Sequence, residues 1–334
     1  MPGANVPFPP MEAQLVRELP IGDEWQYEPK WDGFRGVLEN DGGELALWSR
    51  NERPLLRYFP ELRPLGELLP PHSALDGEIV IARDGVLDFD SMQMRLHPAE
   101  SRVRKLSAEI PAEYVVFDVL LWDGEPVWKL PLEERRGRVD ALEGFRASPC
   151  THELAAARGW LDRFESMGLD GVVAKKLGVP YLPGSRDGVV KIKEEKTADC
   201  VVVGLRWKRD ERKIATLLLG LYRDDGGVDY VGSCAVAARK QEEISARVLP
   251  LLDDAPERRF SEPNRWGTGD LEEAPVRQEV VVEVRYDKVQ GNRFRHGTKL
   301  IRFRDDKDPK DCTWRELRPA RDPDAPGVEA LFAS

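Results

Sequence analysis

The alternation of apolar and polar residues divides the first half of the chain into short strands separated by turns. Strand-like segments, with alternating or β-branched apolar residues, cover residues 35–39, 44–49, 73–82 and 112–121. The sequence Asn40-Asp41-Gly42-Gly43 between the first two strands is typical of a hairpin turn. Helical periodicity appears only over residues 132–142 and 155–167. Because strands and helices do not alternate regularly, we predict an α+β domain built on antiparallel sheet.

The pattern changes near residue 196, where strands begin to dominate. Strand candidates cover residues 199–207, 214–222, 229–234, 278–287 and 299–303, and one helix candidate covers residues 240–252. Five strands with one inserted helix are the outline of an OB-fold β-barrel. We therefore predict a first domain over residues 1–195, an OB-fold domain over residues 196–318 and a flexible segment over residues 319–334, with a hinge at Glu194–Ala198.

The composition of the chain excludes several classes of protein. The chain has 334 residues, 33% of them charged, and its four cysteines are far apart, so we expect neither a zinc site nor a disulfide framework. It shows neither an apolar run of about 18 residues nor a signal-peptide pattern. We therefore expect a cytoplasmic protein that does not associate with a membrane. The net charge is −10, yet residues 285–318 contain eleven Lys/Arg against six Asp/Glu. That excess suits either a surface that grips nucleic-acid phosphates or a solvated charged face.

One lysine has an unusual setting. In the sequence Glu28-Pro29-Lys30-Trp31-Asp32-Gly33-Phe34-Arg35, an Asp-Gly turn follows Lys30, and two aromatic residues should hold the segment against a core. A lysine fixed in this way can act as a nucleophile. The octapeptide taken alone is equally compatible with a hairpin turn that carries exposed charges.

Further charged positions recur beside apolar strands. They lie in the segments Ser49-Arg50-Asn51, Asp76-Gly77-Glu78, Phe117-Asp118, Asp170 to Lys175 and Val190-Lys191-Ile192-Lys193. Each could be a solvated strand residue or, for Phe117, a core aromatic. Charges that converge on the centre of a sheet instead require partners or a bound anion, which favours a site for a phosphorylated ligand.

This ordered set resembles the covalent nucleotidyltransferase superfamily and, within it, the ATP-dependent DNA ligases. The resemblance spans residues 28–310, and Arg293 to His296 and Arg302 to Pro309 are most similar to the small two-domain bacterial Lig C-type enzymes. It implies an antiparallel-sheet, ATP-grasp-like adenylation domain followed by an OB-fold β-barrel. It also implies an enzyme that seals nicks in duplex DNA, in DNA repair or recombination.

The resemblance assigns a role to each matched residue. Lys30 would be the nucleophile that carries AMP, and Lys191 and Lys193 would meet the α-phosphate. Asp170 would bind Mg²⁺ or Mn²⁺, although most DNA ligases have glutamate at this position. The residues assigned to ATP or to the phosphate side are Glu28, Arg35, Arg50, Glu78, Phe117, Arg302, Arg304 and Lys307.

The expected cofactors are ATP, as AMP donor, and Mg²⁺ or Mn²⁺; the expected partner is nicked duplex DNA. A monomer associated with the bacterial nucleoid is predicted, with a repair primase, polymerase or nuclease as a further partner. Two alternatives stay open at this point. One is an RNA ligase or a capping-type nucleotidyltransferase, and the other is a non-catalytic OB-fold protein that binds nucleic acid.

Overall fold

A computed structural model describes residues 1–193, 196–209, 212–253, 272–317 and 326–332. The chain forms two compact units. The first comprises Met1–Glu194 together with Asp322–Ser334, and the second comprises Glu195–Arg321. Of the predicted hinge, Glu194 and Glu195 lie outside the described residues, whereas 196–198 begin a strand.

The first unit contains two main sheets and four α-helices within the described residues. Its strands are β1 (Gln14–Leu15), β2 (Trp25–Pro29), β3 (Phe34–Asp41), β4 (Glu44–Ser49), β5 (Ser73–Val80), β6 (Ala82–Arg83), β7 (Val86–Leu87), β8 (Glu113–Leu121), β9 (Arg146–Ala147), β10 (Val172–Lys176) and β11 (Val189–Ile192). Its α-helices are α1 (Phe89–Arg95), α2 (Glu100–Glu109), α3 (Leu132–Asp140) and α4 (Leu154–Met167). The first sheet has the order β1-β11-β10-β2, and the second has the order β4-β3-β5-β8-β9.

Each sheet has one apolar face and one face that carries charges, because alternate residues of a strand point to opposite sides. In the first sheet, Tyr27, Val172 and Ala174 form a buried cluster with Ala157 of α4. Their neighbours along the strands, among them Glu28 and Lys175, therefore face the other way. In the second sheet Leu38 and Leu75 enter a large core. The opposite face carries Asp76 and, paired with it, Val37, which packs in a smaller apolar cluster with Leu120.

The predicted hairpin is confirmed. Strands β3 and β4 pair in antiparallel register from Gly36↔Ser49 to Asp41↔Glu44. Gly42 and Gly43 have φ angles of 65° and 106°, a conformation that favours glycine. The side chain of Asn40 accepts a hydrogen bond from the Gly43 backbone at 2.7 Å, which closes the turn.

The second unit is a β-sheet of order β14-β13-β12-β16-β19, with one further strand, β15, paired to β12. Its strands are β12 (Lys196–Trp207), β13 (Ile214–Tyr222), β14 (Val228–Ala235), β15 (Glu273–Pro275), β16 (Val281–Tyr286), β17 (Val289–Gln290), β18 (Arg293–Phe294) and β19 (Lys299–Phe303). Helix α5 (Gln241–Val248) follows β14 and packs Ile244 and Val248 into the core. The mixed α+β class is confirmed; closure of this sheet into a barrel stays a prediction.

Residues 326–332 belong to the segment predicted to be flexible, and the structure places them against the first unit. They form a 3-10 helix over Val328–Phe332 that belongs to the first unit. Val328 is 2% and Leu331 6% exposed, because both side chains enter an apolar cluster of that unit. The other residues of the predicted flexible segment lie outside the described residues.

Candidate active site

Lys30 lies at the end of β2, where the backbone is fixed on both sides. Its N–H donates to the Gly171 carbonyl at 2.9 Å, and its carbonyl accepts from the Asp170 N–H at 2.8 Å. These two bonds continue the antiparallel pairing of β2 with β10, whose last pair is Pro29↔Val172. The lysine therefore projects from the rim of a sheet rather than from a loose turn.

The glycine of each Asp-Gly pair near Lys30 is required because the backbone of another strand lies very close to it. A Cβ on Gly33 would lie 1.9 Å from the Ile79 carbonyl oxygen, and one on Gly171 would lie 1.9 Å from the Ile192 carbonyl oxygen. Gly171 also has a φ of +125°. Glycine at these positions lets the segments that carry Lys30 and Asp170 lie directly against neighbouring strands.

Asp170 brings two of the predicted lysines together. Its Oδ2 atom lies 2.5 Å from Lys30 Nζ and 2.8 Å from Lys193 Nζ. Burial opposes ionisation of this carboxyl, but the positive charges of Lys30 and Lys193 outweigh that effect and hold the pKa of Asp170 below its usual value. Asp170 is thus an ionised carboxylate between two ammonium groups.

Lys191 completes a cluster of positive charge. Lys191 lies in β11, and Lys193 directly follows the last residue of that strand. Because the two lysines are two residues apart, both side chains leave the strand on one face. Burial lowers the pKa of Lys191, and the nearby charges of Lys30 and Lys193 lower it further. Ammonium groups that repel one another in this way are suited to a bound anion such as a phosphate.

Arg50 is placed at the edge of this group. It follows β4 and is 61% exposed, and its Nη1 lies 4.0 Å from Glu12 Oε1. Glu12 also pairs with Arg186 at 2.9 Å. Arg50 is thus paired with Glu12 rather than with Asp170, which places it on the periphery of the site.

Glu28 and Phe117 meet through a lysine that the sequence analysis did not select. Lys175 Nζ lies 2.8 Å from Glu28 Oε1 and donates to the Phe117 carbonyl at 2.9 Å. The same ammonium lies 5.0 Å from the centroid of the Phe117 ring. Glu28 is 3% exposed, so its charge is balanced inside the protein. Lys175 thereby joins β10 of the first sheet to β8 of the second.

Arg35 is tied into a buried network. Its Nε and Nη2 atoms donate to the two carboxylate oxygens of Asp76 at 3.0 and 2.6 Å. Tyr181 donates its hydroxyl to Asp76 at 2.6 Å, and Asp76 is fully buried. The Arg35 guanidinium also lies 5.5 Å from the centre of the Phe117 ring. Arg35 is therefore positioned by Asp76, whose role the sequence analysis missed.

Glu78 stands opposite Arg35 in the pairing of β3 with β5. Its carboxylate accepts a hydrogen bond from the Gly33 N–H at 3.2 Å. Burial raises the pKa of Glu78 to about 7, although the charges of Lys30 and Arg35 act in the opposite direction. A carboxyl group that titrates near neutral pH beside a candidate nucleophile is typical of functional sites.

The predicted residues of the second unit fall into two groups. Arg302 is 58% exposed and donates to Glu283 at 2.6 Å. Arg304 and Lys307 are instead held within the unit, where they donate to the same Oδ2 atom of Asp199 at 2.6 and 3.0 Å. Their other contacts are carboxylates of the same unit, Asp306 and Glu316.

The carboxylates of the site offer few ligands for a metal ion. Within the described residues, no group of three or more His, Cys, Asp or Glu side chains could hold a metal ion. Mg²⁺ is commonly held by one or two carboxylates together with the phosphates of a substrate. The ionised Asp170 beside a cluster of lysines fits that mode of binding.

Comparison with known proteins identifies the family. The family model described as "ATP dependent DNA ligase domain" matches residues 10–193, and the one described as "ATP dependent DNA ligase C terminal region" matches residues 210–307. The chain is 42% identical to DNA ligase C of Mycobacterium tuberculosis over 93% of this chain and 94% of that protein. It is 41% identical to DNA ligase C2 of Mycolicibacterium smegmatis over 93% of this chain and 94% of that protein.

A solved structure of a Lig E DNA ligase is similar in fold, with a TM-score of 0.54 at 15% identity. The match covers 88% of this chain and all of the other. Within the described residues, no helix is long and apolar enough to cross a membrane. The resemblance found in the sequence is therefore confirmed, and the chain belongs to the ATP-dependent DNA ligases and is of the Lig C type.

Proposed function

We propose that Lys30 is the nucleophile of this ligase and becomes covalently linked to AMP. The observation that carries this proposal is the position of its Nζ, held by Asp170 within a group of lysines suited to phosphate. In the first step Nζ, once deprotonated, attacks the α-phosphorus of ATP. A phosphorus–nitrogen bond forms, the bond from the α-phosphorus to the bridging oxygen breaks, and pyrophosphate leaves.

The two sheets supply the nucleotide contacts. The Phe117 ring offers an apolar face on which adenine can stack. Glu28, fixed by Lys175, offers a carboxylate oxygen to the edge of the base. Arg35 and Glu78 are assigned to the ribose and to the orientation of the nucleotide, and Asp76 and Tyr181 hold Arg35 in position. Lys175, Asp76 and Tyr181 are therefore positioning residues.

Lys191 and Lys193 are assigned to the α-phosphate, where they would stabilise the negative charge that grows as Nζ attacks. Asp170 would hold Mg²⁺ or Mn²⁺, which supplies charge neutralisation on the ATP phosphates when bound. Its contact with Lys30 also keeps the nucleophile directed at one position before ATP binds.

In the later steps AMP passes to the 5′-phosphate of nicked duplex DNA, and the neighbouring 3′-hydroxyl displaces AMP and seals the backbone. Arg50, at the periphery of the site, is assigned to the 5′-phosphate. The second unit is proposed to be an OB-fold barrel that grips the duplex. In support, an isolated parallel bridge joins Cys234 of β14 to Thr298, next to β19, where barrel closure requires contact.

Arg302, the exposed member of its segment, is assigned to the leaving pyrophosphate. The family resemblance assigns Arg304 and Lys307 to the pyrophosphate as well. Because both are ion-paired with Asp199, we propose that they mainly stabilise the loop that carries them. We further propose that the protein works as a monomer in DNA repair, in the bacterial cytoplasm and near the nucleoid. A primase, polymerase or nuclease of repair is the proposed partner.

A stepwise assay tests this assignment. Lys30→Ala is expected to seal no nick with ATP, yet to seal a nick that already carries 5′-linked AMP, because only the first two steps use the lysine. Labelled GTP serves as the comparison substrate. Labelling by GTP but not by ATP, or sealing of a standard nick by Lys30→Ala, would refute the proposal.

A further inference from the structure

Residues 326–332 return to the first unit behind the nucleophile. Val328 donates its N–H to the Gly85 carbonyl at 2.8 Å, and a Cβ on Gly327 would lie 2.9 Å from Gly85 Cα. The close approach of two glycine backbones and the burial of Val328 show that this turn is docked on the unit rather than resting on its surface.

The docked turn contacts the residue that follows the nucleophile. The ring of Phe332 stacks on Trp31, with 5.2 Å between ring centroids and an interplanar angle of 14°. The Arg146 guanidinium lies 4.4 Å from the centroid of the Phe332 ring. The Trp31 indole is itself 5% exposed and donates to Ser148 Oγ at 2.9 Å. The side chain next to Lys30 is thus fixed by stacking and by a hydrogen bond.

The apolar cluster around Trp31 also contains the residue that precedes Asp170, the ion-pair partner of Lys30. Trp31 and Leu169 are both buried in the apolar cluster that receives Val328 and Leu331. Leu169 directly precedes Asp170, just as Trp31 directly follows Lys30. Residues 328–332 therefore complete the packing behind both strand ends whose side chains form the contact between Lys30 and Asp170.

Resting on the proposed role of Lys30, we infer that Phe332 is a positioning residue for the adenylation step and acts through Trp31. With Phe332 in place, the end of β2 has one conformation and Nζ points at one position. Without it, the indole gains freedom and the nucleophile is less well aligned, while the residues assigned to ATP binding are unchanged. The predicted defect is in the rate of lysyl-AMP formation and not in ATP affinity.

Single-turnover adenylation of the full chain tests the inference. Phe332→Leu is expected to lower the rate at saturating ATP by about tenfold, whereas the half-saturating ATP concentration changes by less than about twofold. Phe332→Tyr, which retains the ring, restores the rate. Glu329→Ala, an exposed position of the same turn, is the matched control and keeps the wild-type rate.

Combining Phe332→Leu with Trp31→Leu separates positioning from general stability. If Phe332 acts through Trp31, the double variant loses no more rate than the slower single variant. Rate losses that multiply, or a Phe332→Leu enzyme that melts earlier but adenylates at the wild-type rate, would overturn the inference. Absence of an adduct in the wild type would instead refute the role proposed for Lys30.

Discussion

Replacing Glu78 with glutamine is expected to change how the stability of the enzyme depends on pH. Glu78 accepts from the Gly33 N–H, and burial raises its pKa to about 7 from the ordinary 4.5. In the folded protein this carboxyl therefore keeps its proton up to about neutral pH, whereas in the unfolded chain it loses the proton near 4.5. The stability that this difference contributes is present at low pH and is lost as the pH rises through the folded pKa.

The magnitude follows from the interval between the two pKa values. At about 1.4 kcal/mol per pH unit, that interval bounds the loss of stability at about 3 kcal/mol. Glu78 is only partly shielded from solvent, so screening reduces the expected value to about 2 kcal/mol between pH 5 and pH 8. Glutamine has nearly the same shape and no such titration, so Glu78→Gln should avoid this loss.

Urea unfolding at pH 5, 6, 7 and 8 measures the effect. The stability of Glu78→Gln relative to wild type is expected to rise by about 2 kcal/mol over this range. Glu44→Gln, an exposed glutamate of strand β4, is the matched control and should run parallel to wild type. Parallel curves for Glu78→Gln as well, or a relative stability that falls with pH, would show that the pKa of Glu78 is not raised in the folded protein.

Four further substitutions test the roles of the other site residues. Asp170→Asn leaves two ammonium groups without their shared carboxylate, so we expect a loss of about 1–2 kcal/mol in urea unfolding and no detectable lysyl-AMP. Lys175→Met leaves the Glu28 carboxylate buried without its cation. We expect the free energy of unfolding to fall by about 3 kcal/mol in urea unfolding. We also expect a higher half-saturating ATP concentration in single-turnover adenylation. Arg302→Ala should slow adenylation by about 10²-fold with little change in Tm and normal sealing of a pre-adenylated nick, whereas Arg304→Ala should lower Tm more. Equal losses in adenylation and sealing for Arg302→Ala would contradict its assigned role.

Strands with a clear alternation were predictable, because the chain must bury one face of each. The hairpin at Asn40–Gly43 and the strands Ile214–Tyr222 and Lys299–Phe303 agree with the sequence prediction to within a residue or two. Helix α2 was not predicted. Only Val103 of its ten residues is buried, so the helix has almost no apolar stripe for a pattern to reveal.

Residues that act through side-chain contacts between distant segments were not predictable. Lys175 was read within an apolar strand, but its contacts are with Glu28 on β2 and Phe117 on β8. Likewise Phe332 meets Trp31 only because the chain returns to the first unit after the second. Local periodicity shows which face of a strand is apolar, but it does not show which distant residue lies against it.

Mapping the nucleotide adduct shows directly whether Lys30 is the nucleophile. The wild-type protein is incubated with ATP and Mg²⁺, freed of unbound nucleotide, digested and analysed by mass spectrometry. We expect a single AMP on the peptide that contains Lys30, and no adduct in Lys30→Ala. AMP on Lys191 or Lys193, or an adduct that survives Lys30→Ala, would contradict it.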